Sequence, residues 1–282
     1  MGAPMARNLA KNGFPLTVAS HTRAKADALA KELPGVTAAS HASEVAERSD
    51  VVVSCVPDAP EVTEVHLGEK GTIKGARDGM VVIDCSTIAP DAAREVAARL
   101  GEKGVSFLDA PVSGGQKGAI EGTLTFFVGG DEGALEKARP VFAAMGKRVT
   151  ALGPSGAGQL GKATNQILVA CNLLAVSEAL VFAEKHGLPL GSLHQALTSG
   201  AATSWALEVL GKKMLDRDFK PAFAVKHQQK DLAILLRAAR EKGVPLPGAS
   251  LVHQLLTALE AQGRGDDGTQ ALLTLYEKLA AV

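Results

Sequence analysis

Three stretches of this 282-residue chain bring together side chains that could do chemistry. The first is Lys162, with Asn165 and Gln166 three and four residues further on, in a nearly uncharged apolar run. At that spacing all three share one side of a helix. A lysine in such surroundings needs a partner or a task, and an ammonium beside two amides could grip a carbonyl or hydroxyl oxygen. Spacing alone also fits a lysine that snorkels near a helix start. The second stretch is Asp109-Ala110-Pro111-Val112-Ser113-Gly114-Gly115, and the third is Asp84-Cys85-Ser86-Thr87. Both follow apolar runs that read as strands, and open α/β sheets bind ligands just past strand ends. Ser113 with Gly114 and Gly115 exposes consecutive N–H groups, a nest for a carboxylate, although a plain turn has the same composition.

Two weaker signals lie near the front of the chain. Gly2-Ala3-Pro4-Met5 opens a helix, with proline in the first turn where its missing N–H costs nothing. Gly2 there would let helix and strand pack closely, and the free N–H groups and macrodipole of a helix start favour a phosphate. An ordinary helix start reads the same way. Ser20-His21-Thr22-Arg23 follows the first apolar run with no acid before Asp27. In a dinucleotide-binding fold a carboxylate there would bind a ribose 2′-hydroxyl; hydroxyls and a cation suit a 2′-phosphate, which points to NADP(H) over NAD(H). The alternative is a solvated turn in which Thr22 caps the next helix.

Composition removes several classes. Thirty Lys plus Arg balance thirty Asp plus Glu, so there is no charge excess to neutralise a nucleic acid. Aromatics are 4%, too few for base-stacking platforms. The seven histidines form no metal-ligand spacing, and Gly153-Pro154-Ser155-Gly156-Ala157 lacks the last glycine of a serine-hydrolase elbow. Cys55, Cys85 and Cys171 are widely spaced and read as buried small hydrophobes rather than a disulfide framework. The uncharged run Ala163–Ser177 is too short to cross a bilayer. No secretory leader is evident, which makes a cytoplasmic protein the starting expectation. Trp205, the only tryptophan, reads as a helix-packing or pocket-lining residue.

The elements that must position these residues come in two textures. Apolar runs at Phe14–Ser20, Asp50–Val56, Met80–Cys85, Val105–Ala110, Leu124–Gly129 and Arg148–Leu152 alternate with helical patterns. Several are apolar on both faces, as in Val81-Val82-Ile83, which suits a mainly parallel sheet between helix layers. A first helix from Pro4 to Asn12 presents Met5 and Leu9 on one face. From Gln159 to Lys185 runs a helix of ~40 Å, and only helical patterns follow it. The expected architecture is a Rossmann-type α/β domain over residues 1–153, then a long interdomain helix and an all-α domain over 154–282.

Taken in order, these stretches resemble the β-hydroxyacid dehydrogenases, which include 3-hydroxyisobutyrate dehydrogenase and tartronate semialdehyde reductase. The resemblance runs through Met1–Leu9, Val56-Pro57-Asp58, Asp84–Thr87, Asp109–Gly115, Gly118-Ala119, Gly122-Thr123-Leu124, Gly158–Gln166 and Lys230-Asp231-Leu232. It implies an NAD(P)-dependent enzyme interconverting a small hydroxyacid and its semialdehyde, with association through the helical domain into a homo-oligomer. It implies Lys162 as the catalytic acid, with Ser113, Gly114, Gly115, Thr87, Asn165 and Gln166 on the substrate side. It implies cofactor contacts from Gly2, Ala3, Pro4, Met5, Val56, Pro57, Thr87, Phe223, Lys230 and Asp231. A lysine titrates near ~10.4 when free, and desolvation would bring it closer to neutral pH. The usual Asn-Arg-Thr after the second strand is replaced, so a 2′-phosphate would rest on Ser20, His21, Thr22 or Arg23. Only the last glycine of the G-x-G-x-x-G loop is present, as Gly2. The expected sheet therefore lacks a strand between Phe14–Ser20 and Asp50–Val56. Competing readings are an imine reductase, which lacks the lysine–amide set, and a non-catalytic binding relative.

Overall fold

The computed structural model describes residues 1–282. It divides into two compact units, Met1–Lys162 and Ala163–Val282. The first unit opens with α1 (Gly2–Lys11), β1 (Leu16–Val18), α2 (Arg23–Glu32), β2 (Val36–Ala38) and α3 (Ala42–Glu47). Next come β3 (Val51–Ser54), α4 (Ala59–Leu67), α5 (Thr72–Gly75), β4 (Val81–Asp84), α6 (Pro90–Gly101) and β5 (Ser106–Asp109). It closes with β6 (Val112–Ser113), α7 (Gly115–Glu121), β7 (Leu124–Gly129), α8 (Glu132–Met145) and β8 (Gly146–Gly153).

β4 is buried at every position, and its alternation explains why. Val81 and Ile83 join one core with Met5, Leu9, Leu108, Phe126 and Phe142, while Val82 joins another with Val62, Val96, Leu100 and Phe107. Successive strand residues face opposite sides, so a run that is apolar throughout needs a layer on each face. Met5 and Leu9 are buried as the spacing of α1 requires.

β3, β4 and β5 pair in parallel, but β7 meets β5 and β6 antiparallel, and β8 follows β7 in parallel. The sheet is mainly parallel, as expected, with one antiparallel departure at β7, because the seven-residue α7 returns the chain beside β6 instead of crossing over. β1 and β2 form a separate two-stranded sheet. Pairing is therefore interrupted between β1 and β3, at the position expected from the sequence. Two local expectations fail here. Nothing lies within 4 Å of a Cβ placed on Gly2, so no close helix–strand packing occurs there. Thr22 stands at the start of α2 without a side-chain cap.

α9 (Ala157–Lys185) starts in the first unit and continues into the second. After it come α10 (Leu190–Thr198), a π-helical turn (Ala206–Gly211) running into α11 (Lys212–Leu215), α12 (Val225–Glu241), α13 (Pro247–Ala261) and α14 (Leu272–Ala280). The second unit is all-helical, built round Ala170, Leu173, Leu180, Met214, Leu232 and Leu256. At 29 residues α9 is long and apolar enough to span a bilayer, which the 15-residue run considered in the sequence is not. Its Leu173, Val176 and Leu180 instead belong to the core of the second unit. Trp205 does not pack between helices, being 61% exposed. Of the cysteines only Cys85 is fully buried; Cys55 and Cys171 are intermediate.

Candidate active site

The site builds outward from the start of α9. Asp109, the last residue of β5, is fully buried. Its Oδ1 accepts the Gly156 N–H at 2.7 Å and its Oδ2 the Gln159 N–H at 2.9 Å. The carboxylate thus satisfies donors that the first turn of a helix leaves free, at the end where the macrodipole favours an anion. Burial pushes the Asp109 carboxyl up, and these backbone bonds oppose that rise. Glycines permit the close approach. A Cβ on Gly158 would run into the Asp109 carbonyl oxygen and come within 2.5 Å of that of Phe127, and one on Gly161 would strike Leu152.

Lys162 lies one turn into this anchored helix and is buried. Its Nζ donates to the Val112 carbonyl oxygen at 2.9 Å. Val112 leads directly to Ser113, Gly114 and Gly115, so the ammonium sits against the strand that opens the expected carboxylate loop. Gly114 (φ 121°) and Gly115 (φ 58°) are both in the left-handed region, where a side chain would be strained. Both are exposed, and Ser113 is half-buried.

Thr87 is the half-buried residue between buried Ser86 and Ile88. The Gln159 side chain holds both neighbours: Nε2 donates to the Ser86 carbonyl oxygen at 2.9 Å, and Oε1 accepts the Ile88 N–H at 3.0 Å. Ser86 Oγ also accepts the Val56 N–H at 2.9 Å, which ties the Val56-Pro57 stretch past β3 to the end of β4.

Beneath these strand ends runs a buried polar chain. Asp84 Oδ1 accepts Ser54 Oγ–H and Ser86 Oγ–H, each at 2.7 Å. His66 Nε2 lies 2.9 Å from Ser54 Oγ, and Nδ1 lies 3.1 Å from Thr72 Oγ1. Ser54 has one hydroxyl proton and gives it to Asp84, so Nε2 carries the imidazole proton; Nδ1 faces Thr72 Oγ1, whose single proton is shared with the Val65 carbonyl oxygen at 3.2 Å. Burial pushes Asp84 up to about 6 against its serine bonds, and lowers His66 to about 4. Asp84 Oδ2 is buried without a hydrogen-bond partner.

The residues expected to hold a dinucleotide are chemically suited to it. The first turn of α1, with Gly2, Ala3, Pro4 and Met5, carries no acidic side chain. The space beside Gly2 is open, and a helix start of this kind accommodates a phosphate. Past β1, His21, Thr22 and Arg23 are exposed and Ser20 half-buried. The Arg23 guanidinium is held by Asp27 Oδ1 at 2.8 Å and Ser40 Oγ at 2.7 Å.

The remaining predicted residues meet within the second unit. Gln166 Nε2 donates to Asp231 Oδ2 at 2.7 Å, and Gln166 Oε1 accepts from Asn165 Nδ2 at 2.8 Å. Lys230 Nζ lies 3.1 Å from Asp231 Oδ1. Phe223, half-buried, stacks with His227 at a centroid distance of 6.2 Å. The sequence did not point to Gln228, which is fully buried with its Oε1 3.4 Å from Gln166 Nε2. Nor does the sequence single out Gln159, which stands there only as part of the Gly158–Gln166 stretch. A cavity of about 530 Å³ between α10 and α11 is lined by Leu190, His194 and Leu215 among others, and includes none of these residues.

An α/β unit, a buried lysine beside a glycine-pair loop and a helix start free of acidic side chains are compatible with a nicotinamide-dependent oxidoreductase. Residues 1–153 match the NAD-binding domain of 6-phosphogluconate dehydrogenase, and residues 156–276 the NAD-binding domain of NADP-dependent 3-hydroxyisobutyrate dehydrogenase. The chain is 40% identical over 280 residues to 2-hydroxy-3-oxopropionate reductase of Escherichia coli, covering 99% of this chain and 95% of that protein. It is 37% identical to the NAD-dependent L-serine dehydrogenase of Pseudomonas aeruginosa, covering 98% and 95%. The solved structure of Mycobacterium tuberculosis 3-hydroxyisobutyrate dehydrogenase with L-serine superposes with a TM-score of 0.88 at 34% identity, covering 98% and 95%. The chain belongs to the β-hydroxyacid dehydrogenase family: a Rossmann NAD(P)-binding domain followed by a helical domain, acting as an NAD(P)-dependent hydroxyacid dehydrogenase.

Proposed function

We propose that this enzyme interconverts a small β-hydroxyacid and its semialdehyde, with NADP(H) preferred and Lys162 as the general acid and base. The observation that carries the reading is the buried Lys162 ammonium, 2.9 Å from the Val112 carbonyl at the mouth of the Ser113-Gly114-Gly115 loop. In this reading the loop N–H groups and Ser113 hold the substrate carboxylate. Lys162 Nζ gives its proton to the carbonyl oxygen during reduction and takes it back during oxidation. Thr87 lines the same space, and Asn165 and Gln166 orient the hydroxyl. The nicotinamide cofactor supplies or takes the hydride when bound. Gly2, Ala3, Pro4 and Met5 receive its phosphates, Ser20, His21, Thr22 and Arg23 its 2′-phosphate, and Val56 and Pro57 flank it. Phe223, Lys230 and Asp231 complete the cofactor set from the helical domain.

We further place the protein in the cytoplasm as a homo-oligomer. The exposed Leu168 and Phe182 of α9, 62% and 64% accessible, support association through that helix. The deciding experiment is a substrate panel of tartronate, methylmalonate and succinate semialdehydes, with glyoxylate, each assayed with NADPH and NADH. Turnover of a 3-oxopropanoate (tartronate or methylmalonate semialdehyde) with kcat/KM higher for NADPH is expected. A strong NADH preference would overturn the Ser20–Arg23 assignment, and no turnover with either cofactor would overturn the reaction.

A further inference from the structure

Gln159 lies in the first turn of α9, three residues before Lys162. Its backbone N–H is held by Asp109 Oδ2, next to the Gly156 N–H on Oδ1. Its side chain spends both functions of the amide on the backbone either side of Thr87: the donor on the Ser86 carbonyl, the acceptor on the Ile88 N–H. The residue is 2% exposed. Lys162 follows three residues later, on the same side of the helix within one turn. One residue therefore grips the end of β4 through its side chain and the end of β5 through its backbone, directly before the lysine.

We infer that Gln159 is a positioning residue, which holds Thr87 at a fixed separation from the Lys162 ammonium; the inference rests on the hydroxyacid reading above. Only a primary amide of this length supplies donor and acceptor together. Glutamate keeps the acceptor for Ile88 but, when ionised, has no proton for Ser86. Methionine fills the space and does neither. A purely stabilising side chain would alter the amount of folded protein and leave each folded molecule working normally.

The test uses the full chain as Gln159→Met and Gln159→Glu. Two readouts are taken: steady-state kinetics, and acetic anhydride labelling of Lys162 measured by peptide mass spectrometry against exposed Lys117. For folded Gln159→Met, kcat is expected to fall at least ~10-fold while KM for the cofactor stays within ~3-fold, since small misplacements of a reacting group are costly. The Lys162-to-Lys117 labelling ratio is expected to change at least ~3-fold, as the lysine leaves its fixed site. For Gln159→Glu, kcat relative to the parent is expected to recover as pH falls from about 8 to about 5.5, when the protonated carboxyl regains the missing donor. Parental kcat with a parental labelling ratio in folded Gln159→Met overturns the inference. If that variant does not fold, a Gln159→Glu with a flat kcat ratio and unchanged labelling overturns it. If the parent chain turns over no semialdehyde, the reaction reading fails separately, and the labelling ratio alone decides the positioning role.

Discussion

At the scale of single residues, the proposed chemistry concentrates on one ammonium. Lys162→Ala is expected to fold and to bind NADPH normally in a fluorescence titration, while kcat falls at least ~100-fold, the usual loss for a general acid. A variant with near-parental kcat would remove Lys162 from the mechanism. Much of the candidate set could be read from the sequence because it lies in short contiguous stretches: Ser113 to Gly115, Lys162 to Gln166, Lys230 to Asp231. What escaped were residues whose partners are distant along the chain. Gln159 reaches back 71 and 73 residues to Ile88 and Ser86, and Gln228 meets Gln166 across 62. Spacing rules see neighbours within a helix turn; they do not see a side chain that closes a gap between two strand ends. Asp109 shows the same limit. It could be read as a polar residue past a strand, but its task as a helix anchor depends on where Gly156 and Gln159 fold back.

At the scale of elements, the start of α9 has no room to spare. Gly158→Ala forces a methyl group against the Asp109 and Phe127 carbonyls, so the helix start must lift away. The expected cost is ~1–3 kcal/mol, the range for overpacking, read as a lower denaturant midpoint with an unchanged slope. Gly191→Ala is the control: it lies in α10, and nothing comes within 4 Å of the added methyl. It should leave stability within ~0.5 kcal/mol or raise it, as alanine favours helix over glycine. The longer elements were legible from their periodicity. β2, β6, α3 and α7 were not, because strands of two or three residues and helices of fewer than two full turns repeat too seldom to establish a period. The two-residue β6 matters most, since it pairs with the reversed strand β7 and carries Ser113.

At the scale of the whole molecule, the buried His66–Ser54–Asp84 chain shapes how stability responds to acid. His66 is lowered to about 4 in the folded state, so the stability it contributes is full above its unfolded value near 6.5 and is lost as pH falls towards 4. Asp84 is raised to about 6, so folding holds its proton, and its contribution declines as pH climbs from near 3.8 to 6. The two slopes oppose each other between pH 4 and 6. Asp84→Asn keeps an acceptor for Ser54 and Ser86 but removes one slope. Its stability relative to the parent should rise by ~2 kcal/mol from about pH 4.5 to about pH 6. Parallel curves for the two proteins in urea would show that Asp84 does not titrate in this window. The fold also allocates its parts economically. Asp109 fastens the helix that carries the lysine, and Ser113, four residues later, opens the loop assigned to the substrate carboxylate. On the proposed function, one short peptide is then a gauge block: it sets how many carbon atoms can separate the acid end of a substrate from the carbon that changes oxidation state, whatever side group the substrate bears.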